Sequence, residues 1–258
     1  MKLLFSEYPA QYSNYQFPYQ VWAVEESNNE RDALLAQGFL PTRFKIGLWY
    51  LARSCRVNLP NFEESSENRR IVKNTEQFAS TVTHAKEFAL EPEHFALIHT
   101  FCNEVIGTDF SESSIKRIFS SHLCSKVIEW HDADRLVGVS PVLETNEAIF
   151  YWYGFLDPAY SKSGLGMRMM LEAVMQAKEA GKQFGYVGTI YTKSSLYKTN
   201  LKGFEFFNGL GWSDNEDELK YLLEKDTHHE SPELFKDAEY LKRFHNAQHI
   251  GDIIKNKH

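Results

Sequence analysis

Apolar positions recur at helical spacing through His94-Phe-Ala-Leu-Ile-His-Thr-Phe-Cys-Asn-Glu-Val-Ile-Gly107, which predicts a helix closed by a glycine. Glu112 to Ser121 reads as a second, shorter helix. The pattern then changes to β-rich runs, Lys126–Trp130, Arg135–Val142 and Ala148–Leu156, separated by His131–Asp134 and Glu144–Glu147, which suit hairpin turns. A helix follows from about Gly164 to Ala180, with Leu165, Met169, Ala173 and Ala177 on one stripe and Gly181 at its end. Phe184 to Tyr191 reads as another buried strand, so this half alternates strands, helix and strand in a mixed layer.

The N-terminal pattern is less regular. Aromatics crowd the first residues (Phe5, Tyr8, Tyr12, Tyr15, Phe17, Tyr19, Trp22) and suit the core and lining of a small unit. An Asn-capped helix is expected from Arg31 to Gln37, stopped by Gly38. Ile46 to Leu59 mixes strand-like alternation with basic residues, and Pro60–Asn61 closes it before the polar run Glu63 to Arg70. A domain transition is placed between residues 75 and 92, in a helical segment ending at Glu91–Pro92. The expected division is residues 1–85, 86–225, and a polar, helical C-terminal tail over 226–258.

Composition narrows the class. With 258 residues and 43% hydrophobic content, the chain can bury a substantial core. No run of roughly 18 uncharged apolar residues occurs, and the apolar stretch after Met1–Lys2 is too short for a signal peptide, so a cytoplasmic chain without a membrane partner is expected. Three cysteines without Cys-x-x-Cys spacing suggest buried thiols rather than a disulfide framework or zinc site, and the histidines lack compact metal-like spacing, so no metal is expected. A net charge of −7 has the wrong sign for holding nucleic acid by the bulk field. The bases from Arg43 to Lys73 nevertheless outnumber the acids around them and leave room for a local basic face.

The sharpest chemical feature is Asp157–Pro158 followed by Tyr160-Ser-Lys-Ser-Gly-Leu-Gly166 at the opening of a helix. Unpaired N–H groups and the positive dipole end make such an opening an anion site, with Lys162, Ser163, Gly164, Leu165 and Gly166 as the candidate cofactor-binding residues. Against the acetyltransferase pattern Gln/Arg-x-x-Gly-x-Gly/Ala it matches both glycines but not the first residue, and a merely tight strand-to-helix turn is the alternative. The third Rossmann glycine and the P-loop Gly-Lys-Ser/Thr are both missing. Gly154 inside Ile149–Phe155 marks either a close backbone approach, where parallel strands splay, or a glycine packed under an aromatic. Downstream, Tyr191-Thr-Lys-Ser-Ser-Leu-Tyr-Lys198 gathers hydroxyls and amines, making Tyr191, Ser195, Tyr197 and Lys198 the catalytic candidates. Glu205 and Asp157 are candidate bases. No Gly-x-Ser-x-Gly elbow or Cys/His pairing points to a hydrolase.

The chain resembles the arginyl/leucyl-tRNA-protein transferases, the N-degron aminoacyltransferases. The resemblance rests on Leu34-Leu-Ala-Gln-Gly-Phe-Leu-Pro-Thr-Arg43, Arg53–Leu59 and Phe62–Lys73 in the N-terminal half. In the C-terminal half it rests on Tyr151 to Pro158, Tyr160–Gly166, Gly185-Tyr-Val-Gly188 and Tyr197–Lys198, in the family's order. It implies an α+β fold of GNAT-like acyl-CoA N-acyltransferase type, well formed in the C-terminal module and smaller or degenerate in the N-terminal half. It also implies transfer of an arginine- or leucine-class amino acid from aminoacyl-tRNA to a protein N-terminus. No cofactor is then needed, and Arg69, Arg70 and Lys73 would hold RNA backbone or an acidic N-terminus. The family's N-terminal Cys-x-x-Cys is absent, its Ser-Leu-Gly is Gly164-Leu-Gly166 here, and its Cys-x-Lys-Met is replaced before Tyr197–Lys198. These departures leave two alternatives open. One is a GNAT acetyltransferase using acetyl-CoA or coenzyme A on a small amine or protein. The other is an inactive member serving as a binding module.

Overall fold

The computed structural model describes residues 1–14, 17–226, 234–249 and 252. Tyr15, His228, His229, His258 and much of the expected tail lie outside the described residues.

In chain order the strands and helices are β1 (Lys2–Glu7), β2 (Tyr19–Val24), α1 (Arg31–Ala36), β3 (Phe39–Pro41), β4 (Leu48–Leu51), β5 (Ser54–Asn58), α2 (Ser66–Asn74) and β6 (Phe78–His84). Next come α3 (Pro92–Phe101), α4 (Glu112–Phe119), β7 (Lys126–Asp132), β8 (Arg135–Glu144), β9 (Ala148–Tyr151) and β10 (Phe155–Leu156). The chain then forms α5 (Leu165–Glu179), β11 (Phe184–Thr189), β12 (Phe204–Phe207), β13 (Trp212–Ser213), α6 (Glu216–Lys225) and α7 (Ala238–His245).

Two sheets organise these elements. An antiparallel one has the order β1-β2-β4-β3; the larger runs β13-β12-β5-β11-β9-β8-β7-β6, with β10 also pairing β8. Thus β5 and β6, from the first 85 residues, are built into the same sheet as the later strands. Apart from the parallel pair β9 and β11, its strands pair antiparallel. Parallel neighbours need a crossover, which here runs through α5, and the result is the mixed α+β layer expected from the sequence.

The central strands of the large sheet, β8 and β9 among them, are buried on both faces, which explains their near-continuous apolar sequences, whereas the edge strand β6 is largely exposed. Along β9, Ile149 packs into the core with Leu165, Met169, Leu171 and Val174 of α5. Its neighbours Ala148 and Phe150 face the opposite core, built with Ile98 of α3 and Ile115 and Ile118 of α4. Cys55, Cys102 and Cys124 are buried and free, and burial pushes their thiols up to about 12, 11 and 12.

The segment expected to be helical before Pro92 is instead a strand. Phe78-Ala-Ser-Thr-Val-Thr-His84 carries branched residues suited to a sheet and pairs along its whole length with β7. Pro92 opens α3 rather than stopping a preceding helix, because the first helical turn has no use for a proline N–H. Part of the polar run becomes α2, whose N-terminus is closed by reciprocal bonds between Ser65 and Asn68, each 3.0 Å. Within the C-terminal region, α7 docks by burying Tyr240 and Leu241.

Candidate functional site

The parallel register of β9 and β11 holds from Ala148/Phe184 to Phe150/Tyr186 and then stops. Beyond it, β9 breaks at residues 152–154 before β10 rejoins β8, while the pairing of β11 with β5 shifts between Tyr186 and Thr189. The diverging ends open a wedge, and below it lies a cleft of about 1040 Å³. Gly154 lines the cleft because no side chain fits there: a Cβ would lie 1.9 Å from the Tyr151 hydroxyl. The glycine is therefore both packed under an aromatic and placed at the splay.

The cleft brings together residues distant in sequence. Gly164 and Gly166 reach it from the start of α5, Arg70 and Glu67 from α2, and Ser195, Tyr197 and Lys198 from the turn Lys193–Asn200. Gly164, at φ +86°, caps α5 in a left-handed conformation, while Ser163 Oγ accepts the Leu165 N–H at 3.2 Å. Several other sequence-selected residues lie outside the lining. Leu165 is buried in the core, Lys162 is exposed, and Ser163 turns its hydroxyl to the Tyr160 carbonyl at 2.7 Å. Tyr191 is exposed, its hydroxyl accepting the Arg53 N–H at 2.7 Å. Arg69 donates to the Glu64 carbonyl at 2.6 Å, and Lys73 is exposed on α2.

Lys198 is the chemically distinctive member. Burial lowers its ammonium from the ordinary lysine value, its Nζ donates to the Thr189 carbonyl at 2.8 Å, and among the described residues it forms no ion pair. A Cβ added to Gly188 would lie 3.6 Å from that nitrogen, so the amine sits beside open backbone at the end of β11. Tyr197 is half-exposed, and desolvation raises its phenol above the ordinary value, so it stays protonated at neutral pH as a hydrogen-bond donor.

The candidate bases Glu205 and Asp157 have other partners. Asp157 accepts from Arg135 and from the Ala159 amide at 2.9 Å. Glu205 pairs with Arg56 Nε at 2.6 Å and accepts from Asn58 at 3.1 Å, while the Arg56 guanidinium lies 3.8 and 4.0 Å from the ring centroids of Phe184 and Trp212. Glu205→Ala would strand a buried guanidinium at a cost of about 3 kcal/mol, lowering Tm by roughly 6–12 °C. Calorimetry should show that fall while kcat per folded molecule stays at the wild-type value; a lost kcat with unchanged Tm would return Glu205 to the chemistry.

Sequence reading missed the apolar walls, supplied by Ile71, Phe101, Val105, Ile106, Met167 and Met170. Each belongs to an amphipathic helix or a turn after one, where an apolar residue reads equally as core. It also missed an adjoining chamber of about 430 Å³, which shares Trp152, Tyr153, Gly188 and Thr189 with the cleft. Leu40, Pro41, Thr42, Arg43, Phe44 and Tyr50 of its walls come from β3, β4 and the loop joining them, and only folding brings them to β11.

Residues 93–208 match the family model described as the C terminus of arginine-tRNA-protein transferase. An aspartate/glutamate leucyltransferase from Paracoccus denitrificans is 25% identical over 216 residues, covering 74% of this chain and 75% of that protein. Another aspartate/glutamate leucyltransferase, from Ruegeria pomeroyi, is 33% identical over 92 residues, which span 34% of either chain. Among solved structures, the ribosomal-protein-S18-alanine N-acetyltransferase from Escherichia coli superposes with a TM-score of 0.31 at 14% identity, covering 40% of this chain and 61% of that one.

Proposed function

Because this chain belongs to the aminoacyl-tRNA-protein transferase family, we propose that it moves a leucyl group from tRNA to the α-amine of an acidic N-terminal residue of a protein. The acceptor nitrogen attacks the ester carbonyl carbon, the bond from that carbon to the ribose oxygen breaks, the amine gives up a proton and the ribose oxygen gains one. Lys198, in its neutral form, takes the proton from the acceptor, and Tyr197 donates to the oxygen on which charge develops. The start of α5 at Gly164–Gly166 faces the phosphate of the acceptor end. This reaction calls for no cofactor, and a cytoplasmic location follows from the need for charged tRNA.

One observation favours leucyl over arginyl transfer. The only carboxylate among the described residues lining either cavity is Glu67, and it is already held by Arg70 at 2.6 Å. A guanidinium entering these apolar walls would find no free anion, whereas a leucyl side chain loses nothing by leaving water.

The test supplies leucyl-tRNA and arginyl-tRNA separately, with a peptide carrying N-terminal aspartate, and follows the product by mass spectrometry. Leucyl addition well above arginyl addition is expected; arginyl transfer at an equal rate overturns the donor assignment. The two Gly residues opening α5 on the cleft favour a second reading, acetyl transfer from acetyl-CoA. That reading requires a saturable rise in Tm with coenzyme A, where leucyl transfer requires none.

A further inference from the structure

The chamber beside the cleft contains a charge that the transfer chemistry leaves unused. Arg43 lies in the loop joining β3 to β4, pinned by Thr42 Oγ1 donating to the Lys45 carbonyl at 2.7 Å and by Arg117 donating to the Phe44 carbonyl at 2.7 Å. Its guanidinium carbon stands 3.8 Å from the Phe110 ring centroid, and its charge acts on the Tyr153 phenol, opposing the rise that burial causes there. Among the described residues Arg43 forms no ion pair, and it is the only charged residue in a lining otherwise dominated by Trp22, Leu40, Phe44, Tyr50 and Phe150.

We infer that this chamber receives the side-chain carboxylate of the acceptor's N-terminal aspartate or glutamate, with Arg43 as the residue that selects it. The inference rests on the transfer reading above and adds the group that discriminates among acceptors. A guanidinium stacked on an aromatic face keeps its edge N–H groups for a planar carboxylate, which it can grip with two parallel bonds. A leucyl side chain in the same place would instead leave that cation without an anion in an aromatic enclosure. Position agrees with charge. The chamber meets the cleft at Trp152, Tyr153, Gly188 and Thr189, so an acceptor whose side chain lies in the chamber presents its α-amine at Gly188, beside the Lys198 amine.

Two measurements test it on the full chain. Tryptophan fluorescence titration with Asp-Ala and Asn-Ala dipeptides reads binding without turnover, since Trp22 and Trp152 line the chamber. Wild type should bind Asp-Ala about 10- to 100-fold more tightly than Asn-Ala, as a charge-assisted bond to a carboxylate implies. Arg43→Met should erase that ratio, Arg43→Lys should restore part of it, and Arg43→Glu should turn the preference toward Lys-Ala. In leucyl transfer, the loss in Arg43→Met should fall on KM for the acidic acceptor, leaving KM for leucyl-tRNA unchanged. Retained acid preference in a folded Arg43→Met protein overturns the inference, as does a shift in the KM for leucyl-tRNA, which would give the chamber to the donor. Arg43-dependent binding of Asp-Ala without leucyl transfer would uphold the pocket while the donor reading alone fails.

Discussion

Lys198→Met is expected to lower kcat for leucyl transfer by about 10²- to 10⁴-fold, the range for loss of a positioned proton acceptor. Methionine keeps the length and apolar stem of the side chain, so the wall of the cleft is retained while the titrating amine is lost. The pH profile separates a catalytic amine from a structural one. Burial depresses the Lys198 ammonium below its usual value of 10.5, so the wild-type rate should rise with pH as the neutral amine forms, and level off below 10.5. In the variant that rise should be absent. Stability carries the same sign. Between the folded and unfolded values the unfolded chain binds more protons, so wild-type stability increases as pH rises through that window; the variant's curve should be flatter. A variant that keeps the wild-type kcat and pH profile would remove Lys198 from the chemistry.

Gly188→Val should abolish detectable transfer even where the protein still folds. Gly188 has φ +87°, a conformation that a β-branched residue adopts only at a cost of roughly 1–3 kcal/mol. The side chain would also project into the junction of cleft and chamber, where a Cβ already approaches Lys198 Nζ to 3.6 Å. Calorimetry would report the strain as a modest fall in Tm, and single-turnover assays would report the block. Transfer at the wild-type rate in a folded Gly188→Val protein would show that donor and acceptor do not meet at this junction.

Much of the C-terminal architecture was legible in sequence because its signals are local. The apolar stripe from Leu165 to Ala177 and the glycines flanking it define α5, and the strands around it read as β-rich runs between polar turns. The cluster Ser195, Tyr197 and Lys198 was likewise visible as a run of hydroxyls and amines, and Gly154 as a glycine out of place in a strand. Local signals misled where one residue type serves two ends of a helix. Pro92 has the sequence signature of a helix stop although it opens α3, and that signature hides the strand before it.

The sequence alone determined which segments form strands and helices over most of residues 93–208, and that Gly38, Gly107 and Gly181 end helices, because periodicity and φ are properties of short stretches of chain. Only the tertiary structure decided which polar groups share a space. Parallel pairing of β9 with β11 is lost after Phe150 and Tyr186, and the divergence makes a cleft from α2, α5 and the 193–200 turn. Packing of the smaller sheet then carries Arg43 to within one shared wall of Lys198, 155 positions away in the chain. Such proximity is set by long-range burial, in which the centre of the large sheet is covered on both faces by distant elements, and no local pattern encodes it.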